Sequence, residues 1–405
     1  RERISREGCW KKQKRGGAER GEGAPAPVQA QRAATIAARI VPIFLPLLSS
    51  ACIGRLPQAA DKQAARAERG RGNTGVRRSN DTSGLPIPPG PGNLPRPSGK
   101  PENLIVLPWA GFKAAVTYTF DDGSSSQIEH YDELQALGVP VTFYLTTGSP
   151  DAANPVWARA LKDGHELGNH SKSHARGGRA SDIDAATDFI ERHCGVSTWT
   201  MASPFGDPSY PPLASHRFLV NRGVVPGLIG ASDNVDPFDL PAYGPPQQAP
   251  AGLLNAQVET ARTHGKWRVF LLHGFAGGHD GAYMPIRFAD FAASVDYAQM
   301  RGDVWIDSMV AVAAYWRGQR SVAACQPKKT GATTTWTWAL PAHFPPGRYL
   351  RVRVDGGTLS QKGQPLPWHP RGYYEMALDA GTLTLSPDLA RPPASYSPKV
   401  WVEGR

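Results

Sequence analysis

Four short stretches of this chain carry side chains able to do chemistry. Asp121 and Asp122 are adjacent carboxylates ahead of Gly123, and His170 and His174 stand four residues apart. His273 follows the apolar run Trp267–Leu272, and Pro204-Phe205-Gly206 is a turn sequence. One carboxylate with two imidazoles is a donor set for a divalent cation that leaves positions open for water and substrate. Four-residue spacing puts both imidazoles on one face if that segment is helical. The spare carboxylate beside such a set can accept a proton, and a histidine, titrating near neutrality, can deliver one. A backbone N–H in the Pro204–Gly206 turn can meet a developing oxyanion. Read singly, each feature has a plain alternative: a loop carboxylate, a surface imidazole pair, a satisfied core histidine, an ordinary turn.

Positioning these groups falls to an alternation of strand and helix signals. Residues 114–120, 139–145, 199–202, 224–229, 267–272 and 304–306 read as strands. Residues 127–137, 156–161, 182–193 (with Ser181 as cap), 253–263, 286–300 and 308–316 read as helices, with a further helical stretch between residues 202 and 224. Such β/α alternation predicts parallel strands wrapped by helices. The reactive residues follow strands, where a β/α barrel gathers its catalytic groups. Beyond Gln326 the period changes to two, at residues 333–338, 349–354 and 382–385, with a turn at Asp355-Gly356-Gly357. These residues predict a small all-β appendage.

The formal charge of +10 is unevenly spread. Residues 1–100 hold 19 Lys and Arg against 7 Asp and Glu, whereas residues 101–405 hold 26 against 28. The folded part is therefore nearly neutral, which argues against a nucleic-acid-binding face. The chain opens at Arg1 and its first methionine is Met201, so no function is read into residues 1–30. Arg32 and Arg39, the apolar run 40–48 and Ser49-Ser50-Ala51-Cys52 have the make-up of an export signal. The run is too short to span a bilayer, and its end resembles a bacterial lipoprotein cleavage site with Cys52 as the lipidated residue. The expected location is exported: secreted, periplasmic or membrane-anchored as a lipoprotein. Seven prolines between Pro86 and Pro101 mark residues 53–101 as an extended, disordered linker. Cys194 and Cys325 are a possible disulfide pair or two free thiols.

Taken together, Thr119-Phe120-Asp121-Asp122-Gly123, His170-Ser171-x-x-His174, Pro204-Phe205-Gly206 and Leu271-x-His273-Gly274 resemble four motifs of the polysaccharide deacetylase family, the NodB-homology or carbohydrate esterase family 4 group. They occur in that family's chain order, within about residues 113–318. The resemblance implies a distorted (β/α)7 barrel over residues 102–325, followed by a small all-β domain over residues 326–405. It implies that Asp122, His170 and His174 hold one divalent metal ion, most often zinc, with cobalt, nickel or manganese as alternatives. Asp121 is then the general base and His273 the general acid. Pro204 and Phe205 form the oxyanion turn, and Leu271 lines the pocket for the acetyl methyl.

Two positions depart from the pattern. Ala202 stands where the family often has an arginine that orients the catalytic aspartate, leaving Arg222 or His279-Asp280 as candidates for that task. An Asp-x-Trp element is also indistinct, with Asp233, Asp236 and Trp305 nearby.

The expected partner is an acetylated polysaccharide or oligosaccharide. N-deacetylation of N-acetylglucosamine-type glycans is the first expectation. O-acetyl esterase action on a xylan-like polymer and a catalytically weak carbohydrate-binding protein are its rivals. Trp336, Trp338, Trp368, Tyr373 and Tyr374 of the appendage are suited either to stacking on sugar rings or to core packing.

Overall fold

A computed structural model describes residues 83–388. The possible lipid anchor at Cys52, the apolar run before it and the first part of the expected linker lie outside the described residues.

Strand β1 is Ile105–Val106, and β2 is Ala114–Phe120, buried at every position. Strands β3 (Thr142–Leu145), β4 (Glu166–Asn169), β5 (Thr200–Ala202), β6 (Val220–Arg222), β7 (Trp267–Leu272) and β8 (Val304–Ile306) follow. They form one parallel sheet in the order β6-β5-β4-β3-β2-β7, with β8 also on β2. A strand apolar on both faces, such as β2, belongs at the centre of a parallel sheet. One edge of β2 carries a ladder from Ala115–Trp267 to Phe120–Leu272. The other edge is shared: Ala114 to Val116 pair with β8, and Thr119 and Phe120 pair with β3.

The sheet curls into a distorted barrel. Its gap is crossed by the chain at Leu240–Tyr243, where Leu240 bridges Arg222 of β6 and Tyr243 bridges Phe270 of β7. The expected β/α barrel is borne out by this topology.

Four local expectations are corrected. No strand was expected at Glu166–Asn169, because its polar residues break any apolar pattern. Glu166 nevertheless sits buried and accepts from Thr142, Thr200 and the Val310 N–H. The strand expected at 224–229 lies instead at Val220–Arg222. Val225 is 64% exposed, whereas Asn221 and Arg222 are buried, with Asn221 Nδ2 donating to the Phe238 carbonyl and Arg222 Nη2 to Asp121. The helix expected over 127–137 is two short helices, Ser125–Glu129 and Tyr131–Ala136, broken at His130. Helix Ala180–Cys194 begins with Arg179 at its N-cap, so Ser181 lies inside it.

The C-terminal strands form two antiparallel sheets. β9 is Lys328–Thr330, β10 Thr333–Thr337, β11 Tyr349–Arg353 and β12 Thr358–Gln361. β13 is Gln364–Pro365, β14 Trp368–His369, β15 Tyr373–Ala377 and β16 Thr382–Ser386. One sheet runs β1-β11-β15-β14, the other β13-β12-β16-β10-β9. The turn at Asp355-Gly356-Gly357 therefore passes the chain from one sheet to the other. Residues from 83 onward lie against this unit, with Leu94 N donating to Pro370 O and the buried Arg351 guanidinium donating to the Pro86 and Ala110 carbonyls.

The appendage shares a core with the barrel. Helix Met309–Ala323 contributes Tyr315 and Trp316 to one apolar cluster that runs from Trp267 and Trp305 to Leu350 and Met376. The approach is so close that a Cβ on Gly318 would stand 2.4 Å from Leu378 Cδ1. Trp338, Tyr373 and Tyr374 are buried, and the indole of Trp368 donates to the Leu94 carbonyl. Packing, not sugar stacking, occupies most of these rings.

Candidate active site

The reactive residues collect at the carboxyl ends of the strands. Asp121 and Asp122 follow β2, His170 follows β4, Pro204 lies two residues past β5, Arg222 ends β6 and His273 follows β7. Asp122 has φ 73° and Gly123 φ 67°, so the chain turns sharply there, and both neighbouring carboxylates come within reach of His170 Nε2. The left-handed second position favours glycine, and a Cβ there would press to 2.8 Å from Leu145 Cδ2.

His170 and His174 are not on a helical turn, contrary to the expectation from their spacing. Ser171 (φ 62°) and His174 (φ 51°) are left-handed, and local side-chain bonds build the loop. Asn169 Oδ1 accepts from Ser171 N at 2.8 Å, and Ser171 Oγ accepts from His174 N at 2.9 Å. These bonds bring both rings to one point by a different route, with centroids 4.8 Å apart.

Asp122 Oδ1 lies 3.6 Å from His170 Nε2 and 3.4 Å from His174 Nε2. Ligands on a tetrahedral ion at zinc bond lengths stand roughly 3.4 Å apart, so the three donors fit one cation. Their chemistry fits as well. Burial lowers His170 to about 3 and also lowers His174, which keeps both imidazoles neutral with lone pairs available. Burial, then the nearby Asp121 charge, raises Asp122 to about 6. A cation among these donors would supply the positive charge that Asp122 lacks.

Asp121 is 3% exposed. Burial alone would raise it, but the Arg222 charge leads the neighbours that hold it below the usual carboxylate range. Its Oδ1 accepts a short bond from Arg222 Nη2. Its Oδ2 lies 3.7 Å from His170 Nε2 and 4.0 Å from His273 Nε2. Two neighbouring carboxylates pushed in opposite directions are a signature of divided roles. Of the two candidates for holding Asp121, Arg222 makes the contact. Asp280 instead accepts from Ser126 N, and His279 is exposed. Asp233 pairs with Lys266, Asp236 accepts from Phe238 N, and the Trp305 indole donates to Asp307.

Phe205 is left-handed (φ 57°) and half exposed, its ring 4.4 Å from that of His174 and beneath the Arg176 guanidinium. The turn uses the N–H groups of Gly206 and Asp207, bonded to Ser203 and Pro204 carbonyls. Pro204 and Leu271 are both buried. Two contributors were not foreseen. Gln127 donates from Nε2 to the carbonyls of both Asp121 and His273, tying the two reactive loops together. Tyr283 sets its ring edge-on to His273 at 5.2 Å. A glutamine six residues past Asp121 carries no signal of its own, and Tyr283 lies in an irregular loop.

Residues 111–216 match the family described as polysaccharide deacetylase. No curated protein matches the chain. Among solved structures, the chain is similar to the polysaccharide deacetylase Bc1974 of Bacillus cereus, at 18% identity over 48% of this chain and 91% of that one, with a TM-score of 0.34. It is similar to a family 4 acetyl xylan esterase of Clostridium thermocellum, at 18% identity over 49% and 89%, TM-score 0.33. It is also similar to the catalytic domain of a peptidoglycan N-acetylglucosamine deacetylase of Eubacterium rectale, at 16% identity over 48% and 88%, TM-score 0.34.

Proposed function

We propose that this chain, a polysaccharide deacetylase by the family match over residues 111–216, removes N-acetyl groups from N-acetylglucosamine-type glycans with the help of one divalent metal ion. The observation that carries the reading is the convergence of Asp122, His170 and His174 within 4.8 Å of one another, beside a spare buried carboxylate. Residues 102–325 are read as the catalytic domain and residues 326–405 as a β domain fused to it.

Asp122, His170 and His174 would hold the ion, and zinc suits two imidazoles and a carboxylate. When bound, it polarises the acetyl carbonyl and acidifies water. Asp121, kept ionised, accepts the proton of the attacking water through Oδ2. His273, across the site on another strand, delivers a proton to the leaving nitrogen. The C–N bond breaks, and acetate and a free amine leave. The N–H of Phe205 donates to the oxyanion as charge develops on it. Leu271 lines the space for the acetyl methyl, and Pro204 fixes the turn. The same groups serve an O-acetyl ester, whose leaving alcohol takes the proton instead.

No helix of the described residues is long and apolar enough to cross a membrane. An acetylated polymer outside the cell accords with the export signal read in the N-terminal sequence.

Acetate release is the test. N-acetylglucosamine oligomers and acetylated xylan are each incubated with the protein, with and without a chelator. Chelator-sensitive release from the oligomers is expected. Release from xylan alone would move the chain to the esterase reading, and tight glycan binding without release from either substrate would make it a binding protein.

A further inference from the structure

Arg222 ends β6 with no exposure to solvent, and its guanidinium bonds a carboxylate that is itself buried. Taking two such charges out of water is costly, and an apolar pair of similar volume often packs as well or better. Packing alone gives no reason for the pair. Its geometry does. Nη2 takes Oδ1 of Asp121, and this leaves Oδ2 toward His170 Nε2 and His273 Nε2.

The guanidinium is in turn held on several sides. Nη1 donates to the Gly223 carbonyl at 3.1 Å, and the Tyr144 ring lies 5.6 Å beneath the guanidinium carbon. The preceding residue, Asn221, donates to Ser203 Oγ and to the Phe238 carbonyl, which fixes the strand. On the neighbouring strand the register partner of Arg222 is Ala202, whose carbonyl accepts from His170 Nδ1. A small side chain at 202 thus sits where a charged one comes in from the strand next door.

We propose that Arg222 is the positioning residue of the reaction, holding Asp121 by one oxygen so that the other faces the acetyl group under attack. This rests on the function proposed above, because that function makes Asp121 the proton acceptor.

The full chain is compared with Arg222→Gln, Asp121→Asn and the double variant, in kcat, KM and metal bound per chain. Arg222→Gln is expected to lower kcat by about 100-fold, the scale of a displaced general base. KM should stay within about threefold, and bound metal should be unchanged. The double variant should be no slower than Asp121→Asn alone, since Arg222 acts through that carboxylate. Should Arg222→Gln not fold, Arg222→Lys takes its place: it keeps the charge, loses the planar fork, and should still lower kcat by about tenfold. Full kcat in the single variant, loss of metal, or additive losses in the double variant would each overturn the assignment. Wild-type protein that binds metal and releases no acetate would instead sink the functional reading, a different result from active wild type with unaffected variants.

Discussion

The Nδ1–H of His170 donates to the backbone carbonyl of Ala202 at 2.8 Å, which leaves the lone pair of Nε2 facing Asp122. A carbonyl can only accept, so this one bond sets the tautomer that a metal ligand needs.

From that arrangement, His170→Ala or Asp122→Ala should lose the bound ion, because each removes one of three protein donors. Asp121→Asn should keep it while kcat falls by roughly 100- to 10,000-fold. Elemental analysis beside acetate-release kinetics checks both. Full activity in Asp121→Asn would show that proton acceptance lies elsewhere.

A second expectation concerns acid. His165 Nδ1 accepts from Val141 N at 3.1 Å, so the ring is neutral and its Nε2–H points to Gln135. Burial lowers its pKa to about 4, against an ordinary value of about 6.5. Between those values the unfolded chain holds the proton and the folded one does not. The stabilisation is complete above about pH 6.5 and is lost as pH falls toward about 4, by roughly 3 kcal/mol. Urea unfolding in chelator at several pH values should show a shallower acid dependence for His165→Gln than for wild type. Parallel slopes would count against it.

Gly168, in the middle of β4, has no room for a side chain. A Cβ would stand 2.4 Å from Tyr144 Cε1 and 3.1 Å from Thr200 Oγ1. Overpacking of this kind costs about 1–3 kcal/mol, so Gly168→Ala should lower Tm by several degrees. Because Tyr144 also lies beneath Arg222, turnover should drop further than stability explains; an unchanged Tm would refute the packing argument.

Cutting the chain at Gln326 should not liberate a soluble catalytic domain. Tyr315 and Trp316 share one core with Leu350, Val352 and Leu378, and the Tyr315 hydroxyl bridges the Leu107 carbonyl and Arg351 N. Expression of residues 83–325 is expected to give aggregated protein. A soluble, active fragment would show that the two units are separable.

Much of this arrangement was legible in the sequence wherever a strand is apolar on both faces. β2 and β7 announce themselves by composition, and the reactive residues follow directly from their ends. Legibility fails where polar residues are buried. Glu166, Asn169, Asn221 and Arg222 all lie on strands, yet hydropathy reads them as loop, because their stabilisation comes from partners distant in sequence. The spacing of His170 and His174 pointed to one metal site for a wrong reason. Side-chain bonds from Asn169 and Ser171 shape that loop, and no helix does. Arg222 could be named as one of two candidates, but only register beside Ala202 brings its charge to Asp121.

Between β6 and β7 the ring is hooped by single bridges at Leu240 and Tyr243 in place of a full ladder. The stave that carries Arg222 is still clasped on both edges, by its register with β5 and by backbone bonds that Asn221 and Gly223 make with Pro237 and Leu240. Arg222 is fastened to that stave, so the loop that closes the vessel also anchors the cation that grips Asp121.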